Sequence, residues 1–217
     1  MQRASLAAII SIPVIELPTP HGFARAYLTA AADARAALVL GHGAGGGISA
    51  PDLTAAAAAA SAEGLTVVLV EQPYRVAGRR SPAPAHQLDA AWVAAIAALR
   101  EKKLSGLPLI AGGRSSGARV ACRTAQSTGA VGVLCLAFPL QPPRRAEATP
   151  AASRQPELDA VTVPVLVVQG TRDPFGMPRG GERRTVVEVA ADHSLRSDRA
   201  AVAGAVAAWL LDLLARS

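Results

Sequence analysis

The chain has 217 residues, 51% of them hydrophobic and only 3% aromatic, and carries a net charge of +6. That length sets one domain, residues 1–217, as the expectation, with an aliphatic core rich in Ala, Val, Leu and Ile. The charge comes from scattered arginines, paired only at Arg79-Arg80, Arg144-Arg145 and Arg183-Arg184, with Lys102 and Lys103 the only lysines; without a basic run interleaved with aromatics or a recognisable motif, no nucleic-acid partner is expected.

The apolar stretch from Leu6 to Ile15 follows Arg3, but Glu16-Leu17-Pro18-Thr19-Pro20 supplies no small-residue cleavage site, so a first strand at 9–17 is expected rather than a signal peptide. A second strand follows at 23–29 and a third, wholly apolar, at Ala37–Gly41. After the glycine-rich turn Gly41-His42-Gly43-Ala44-Gly45-Gly46, a helix is predicted from Pro51 to Ala62, entered through Ser49 or Ala50. Pro51 suits its first turn and Asp52 its positive end. Strands at Thr66–Glu71, 107–111, 131–137, 163–169 and 185–189 then alternate with helices at 86–99, 115–124 and 198–215. Leu88, Trp92, Ile96 and Leu99 share one face of the first of these helices, and Val202, Val206, Leu210 and Leu213 one face of the last.

The proline- and arginine-rich stretch 140–156 reads as a surface loop too short to form a lid, with a short helix beginning near Pro156. Short β-branched strands, the middle ones apolar throughout, alternate with Ala-rich helices and define an α/β fold whose mostly parallel sheet is covered on both faces. No apolar run is long enough to cross a bilayer, so a soluble, cytoplasmic protein is expected, with no membrane partner. Cys122 and Cys135 fall on a helix and a strand expected to be buried, as free thiols rather than a disulfide or metal framework.

The chemistry is concentrated in Gly113-Arg114-Ser115-Ser116-Gly117, a Gly-x-Ser-x-Gly pattern between a buried strand and a helix. A serine on so sharp a turn adopts strained dihedrals, which require small residues two before and two after it; Ser116 lacks that register. Such a hydroxyl needs a base, and the base an orienting carboxylate, in the order Ser, acid, His. His193 is the one histidine downstream of Ser115. Asp173 stands in the turn after the buried strand Val165-Leu166-Val167-Val168-Gln169, where α/β sites form. Asp192 and Asp159 are the rival acids. The amides of Ala44 and Ser116 are candidates for an oxyanion hole, and His42 reads as structural. Tyr74, Phe138 and Phe175, just beyond strand ends, are candidate substrate contacts; Arg114 and Arg172 read as salt-bridged or solvated side chains that could also attract an acidic substrate. No metal or other cofactor is called for.

The blocks Leu40-Gly41-His42-Gly43-Ala44-Gly45, Gly112 to Arg119, Gln169 to Gly176 and Asp192-His193-Ser194 resemble the small cap-less bacterial α/β-hydrolases related to dienelactone hydrolase. The resemblance covers nearly all the chain from about Ile12. It implies a sheet of about eight strands with the second antiparallel, no lid domain, and Ser115, Asp173 and His193 as a triad. Dienelactone hydrolases proper use a cysteine nucleophile, whereas position 115 is serine, so the implied activity is a serine esterase rather than a lactone hydrolase. The expected substrate is a small carboxylic ester or thioester, the intermediate an acyl-enzyme, and the protein a monomer or homodimer. Two other readings compete: a non-catalytic binding module of the same fold, and a dinucleotide-binding protein built on Gly41-x-Gly43-x-x-Gly46 with Glu71 on the ribose. Against the last, Ile48-Ser49-Ala50 separates the glycines from the helix.

Overall fold

A computed structural model describes residues 13–142 and 152–216. The order is β1 (Val14–Thr19), β2 (Gly22–Thr29), β3 (Ala37–Gly41), α1 (Pro51–Ala62), β4 (Thr66–Glu71), α2 (Pro73–Val76), α3 (Ala85–Lys102), β5 (Leu109–Arg114), α4 (Ser116–Thr128), β6 (Ala130–Leu136), α5 (Gln155–Asp159), β7 (Val165–Gly170), β8 (Arg184–Val189), a 3₁₀ turn at Arg196–Asp198, and α6 (Arg199–Ala215). All eight strands form one sheet in the order β1-β2-β4-β3-β5-β6-β7-β8. β2 runs antiparallel to both β1 and β4, and every pairing from β4 to β8 is parallel.

Side chains alternate faces along each strand, which divides the core in two. Leu38, Leu40, Ile110, Leu134 and Leu166 pack under α1 and α6, against Leu53, Ala56, Val202, Val206 and Leu210. Ala37, Val39, Ala111, Val133 and Val167 face α3 and α4, against Trp92, Ile96, Leu99, Ala118 and Ala121. The predicted helix faces, Leu88-Trp92-Ile96-Leu99 and Val202-Val206-Leu210-Leu213, are all buried.

Boundaries moved where local chemistry overrode the apolar pattern. The first strand begins at Val14, and positions 9–12 of the expected 9–17 lie outside the described residues, as do Arg144 and Arg145. β5 starts at Leu109, because Pro108 has no N–H for the ladder, and it runs on through both glycines to Arg114. α1 is entered at Ala50 with no side-chain cap, and Asp198 caps α6 rather than lying within it, accepting the Ala201 N–H at 3.2 Å. The four-residue α2 was not anticipated. Between β6 and β7 the described residues contain only the short helix α5; the rest of the expected loop, 143–151, lies outside them. Among the described residues no helix is long and apolar enough to cross a membrane.

Candidate active site

The carboxyl ends of β3, β5, β7 and β8 converge at one edge of the sheet, and each delivers a predicted residue. β5 ends at Arg114 and α4 begins at Ser116, leaving Ser115 alone to reverse the chain at φ 51°, ψ −110°. Backbone packed from several sides holds this strained conformation. A Cβ on Gly113 would lie 2.5 Å from the Gly41 carbonyl oxygen, and one on Gly117 would strike the same oxygen, so both flanking positions must be glycine. The Ser115 N–H is tied to the Leu136 carbonyl at 2.9 Å.

Ser115 Oγ stands 3.0 Å from His193 Nε2, and His193 Nδ1 is 2.8 Å from Asp173 Oδ2. The Asp173 carboxylate is fully buried, and its Oδ1 accepts the Phe175 N–H at 2.9 Å. The structure thus brings together the three residues singled out from the sequence. The rival acids are engaged elsewhere. Asp192 accepts the Ser194 N–H at 2.8 Å and hydroxyl at 2.6 Å, hydrogen bonds that hold its carboxyl below the ordinary value. Asp159 accepts from Gln155 and pairs with Arg184, and those contacts likewise lower it.

One oxyanion candidate directly follows the serine in sequence and the other lies in the turn after β3. Ser116 is the first residue of α4, where an amide has no intrahelical carbonyl to bond. Ala44 follows Gly43 in the turn after β3, its carbonyl accepting the Tyr74 hydroxyl at 3.0 Å. His42 is structural: Nδ1 donates to the Gly43 carbonyl at 2.8 Å, and Nε2 accepts the Gln72 N–H at 3.1 Å. Burial lowers its pKa, favouring the neutral ring that this arrangement needs.

Of the candidate substrate contacts, Phe175 lies beside the triad, its ring centroid 4.3 Å from that of His193. Tyr74 is nearly buried, its hydroxyl engaged by Ala44 and its ring edge-on to His42, in a wall of a cavity of about 90 Å³ with Gln72 and Leu88. Phe138 is a correction. It is fully buried in the core, so it has no surface to offer a substrate.

Arg114 carries more of the site than its place in the motif suggested. Its Nε pairs with Asp52 Oδ2 at 2.8 Å, and its Nη2 donates to the His193 carbonyl at 3.0 Å. A side chain at Gly43 would meet the same guanidinium 2.8 Å away. One arginine therefore spans the serine turn, the glycine turn, the histidine loop and α1. Its partner Asp52, read from the sequence as a helix-end charge, is fully buried; burial raises its carboxyl pKa while Arg114 and the Leu53 N–H oppose the rise. Arg172 is exposed, and its Nη2 donates to the Ala190 carbonyl at 3.4 Å. The dinucleotide reading loses ground here, since Asp52 puts a carboxylate in the first turn of α1, where pyrophosphate would sit. Glu71 accepts instead the Tyr27 hydroxyl at 3.3 Å. Among the described residues no cluster of three or more His, Cys, Asp or Glu is placed to hold a metal.

Comparison with known proteins gives concordant findings. A family model described as "Alpha/beta hydrolase domain" matches residues 34–201. No curated protein matches the chain. Among solved structures, a homologue of alpha-beta serine hydrolases from Coxiella burnetii superposes with a TM-score of 0.72 at 15% identity, covering 94% of this chain and 100% of its own. A serine hydrolase from Xanthomonas campestris, described as without a lid, gives 0.68 at 20% identity, covering 91% and 94%. Dienelactone hydrolase from Anabaena variabilis gives 0.70 at 16% identity, covering 92% and 96%.

Proposed function

The chain belongs to the alpha/beta hydrolase domain family, and from that premise we propose that it is a serine hydrolase of small carboxylic esters or thioesters, working through an acyl-enzyme. The observation that carries the reading is the hydrogen-bonded chain Ser115–His193–Asp173, at 3.0 and 2.8 Å, with the serine on a strained strand-to-helix turn. Ser115 Oγ attacks the substrate carbonyl carbon while its proton passes to His193 Nε2. Asp173 holds the ring so that Nδ1 carries the other proton and the imidazolium is stabilised. The amides of Ala44 and Ser116 receive the oxyanion. The alcohol or thiol departs with the proton from His193, and water activated by the same ring releases the acid and restores Ser115. Phe175, against the base, borders the substrate.

On this reading residues 1–217 form one such domain, in the cytoplasm, a placement supported by the two buried free cysteines. A fluorophosphonate probe and p-nitrophenyl acetate test it together. The probe should label Ser115, and Ser115→Ala should abolish labelling and lower hydrolysis by on the order of 10⁴-fold or more with the fold intact. Undiminished hydrolysis by folded Ser115→Ala protein overturns the assignment. A native protein inert to both reagents is instead a binding module of the same fold.

A further inference from the structure

Gln169 occupies the penultimate position of β7, four residues before Asp173, and is fully buried. Its Nε2 lies 2.9 Å from Asp173 Oδ2, 3.1 Å from the Phe138 carbonyl oxygen and 2.9 Å from that of Gly176. Three acceptors around one NH₂ group fix which way the amide points, because a flipped amide would set its oxygen against three others. The two N–H bonds are shared among them. The amide oxygen, by contrast, finds no hydrogen-bond partner among the described residues. Burial of an apolar core does not explain this residue, since the amide oxygen is left without a partner while Nε2 serves two carbonyls and the triad acid at once.

The explanation lies in what Nε2 holds. Asp173 Oδ2 is the oxygen that receives His193 Nδ1–H, so one carboxylate oxygen is shared between the base and Gln169. The other two acceptors lie on either side of the acid: Phe138 just beyond β6, and Gly176 at the end of the turn that begins at Asp173. Gln169 therefore pins the acid-bearing turn to the neighbouring strand end, and aims the carboxylate at the imidazole.

We propose that Gln169 is a positioning residue for the triad acid, fixing the Asp173 carboxylate in the orientation that keeps His193 in its productive tautomer. The proposal rests on the serine-hydrolase reading above. Gln169→Met keeps the length and removes the donor; kcat should fall about 10- to 100-fold, as expected for loss of a hydrogen bond to a charged group, while KM changes less than about twofold and the thermal transition remains cooperative. Gln169→Glu supplies a readout that structural damage would not. When protonated, the introduced carboxyl still donates to Asp173; when ionised, it repels it. The activity of this variant, relative to the unsubstituted protein at the same pH, should fall progressively as pH rises from 5 to 8. Unchanged kcat in folded Gln169→Met overturns the proposal, as does a Gln169→Glu deficit independent of pH. Ser115→Ala, assayed in parallel, separates the two levels: if it is inactive while Gln169→Met is unimpaired, only the positioning role fails, and if it stays active the triad reading itself fails.

Discussion

Replacing Arg114 by Met removes the salt-bridge partner of a buried carboxylate. Asp52 is fully buried, and without Arg114 its carboxylate keeps backbone N–H donors, that of Leu53 at 3.0 Å and its own. Breaking a buried pair from one side costs about 3–5 kcal/mol, because the remaining charge is uncompensated. The Arg114 side chain is 16% exposed, so water offsets part of the loss and the lower end, about 3 kcal/mol, is expected. For a chain of this size that lowers Tm by roughly 6–12 °C. The pH dependence gives the sharper check. Burial holds the Asp52 carboxyl above its ordinary value, with Arg114 pulling the other way. A carboxyl raised in the folded state contributes stability at pH below its unfolded value and loses that contribution as pH rises through its folded value. Removing Arg114 raises it further, so the gap between Arg114→Met and the unsubstituted protein should be smallest in acid and widen toward neutrality. Asp52→Leu combined with Arg114→Met should recover most of the stability, yet not the activity, since the His193 carbonyl still lacks its 3.0 Å donor. Urea denaturation at pH 5 and pH 8, with p-nitrophenyl acetate hydrolysis alongside, measures both. A loss below about 1 kcal/mol, a gap that widens in acid, or a double variant no more stable than the single one would refute the reasoning.

Asp173→Asn should lower kcat by about 10⁴-fold through the wrong imidazole tautomer, while Asp192→Asn, whose carboxylate is bonded to Ser194 rather than to His193, should leave steady-state hydrolysis nearly unchanged. Burial lowers the His42 pKa, so the neutral ring supports the fold above the ordinary histidine value and that support is lost as pH falls; denaturation curves from pH 7 to 5 should decline by up to about 1.4 kcal/mol per pH unit from this group, and the decline should flatten in His42→Gln. In a series of p-nitrophenyl esters from acetyl to palmitoyl, kcat/KM should peak at short chains, since the described residues supply no lid domain to recover about 0.8 kcal/mol per buried methylene; a monotonic rise to palmitoyl would contradict this.

What could be read from the sequence was whatever the backbone itself demands. β3, α1 and β4 lie where expected, bounded by Gly41 and Pro51, residues whose own conformational limits punctuate the chain. The serine turn was legible for the same reason, and so was the order Ser115, Asp173, His193. β5 runs past the expected end at 111, through Gly112 and Gly113 to Arg114. They are strand residues without side chains because a Cβ on Gly112 would come 2.6 Å from the Leu134 carbonyl and one on Gly113 2.5 Å from that of Gly41. Phe138 shows the opposite failure. An aromatic ring just past a strand end has the same sequence signature whether it lines a cleft or fills the core, and only the tertiary packing that buries Phe138 decides between them.

The partners of Arg114, Asp52 and Gln169 were illegible for a further reason. An arginine inside the motif, an acid in a first helical turn and a glutamine closing an apolar strand each have an ordinary local explanation. Their roles arise only from pairings made by the sheet, which sets α1 against the end of β5 and β7 beside β6. The isolated glutamine in Val165-Leu166-Val167-Val168-Gln169 was the one available signal. A polar residue buried at the carboxyl end of a central strand must find partners there, and the loop beyond that strand end carries the acid. A buried polar residue at the site edge of a parallel sheet is therefore better read as support for the adjoining loop than as a lapse in the apolar pattern.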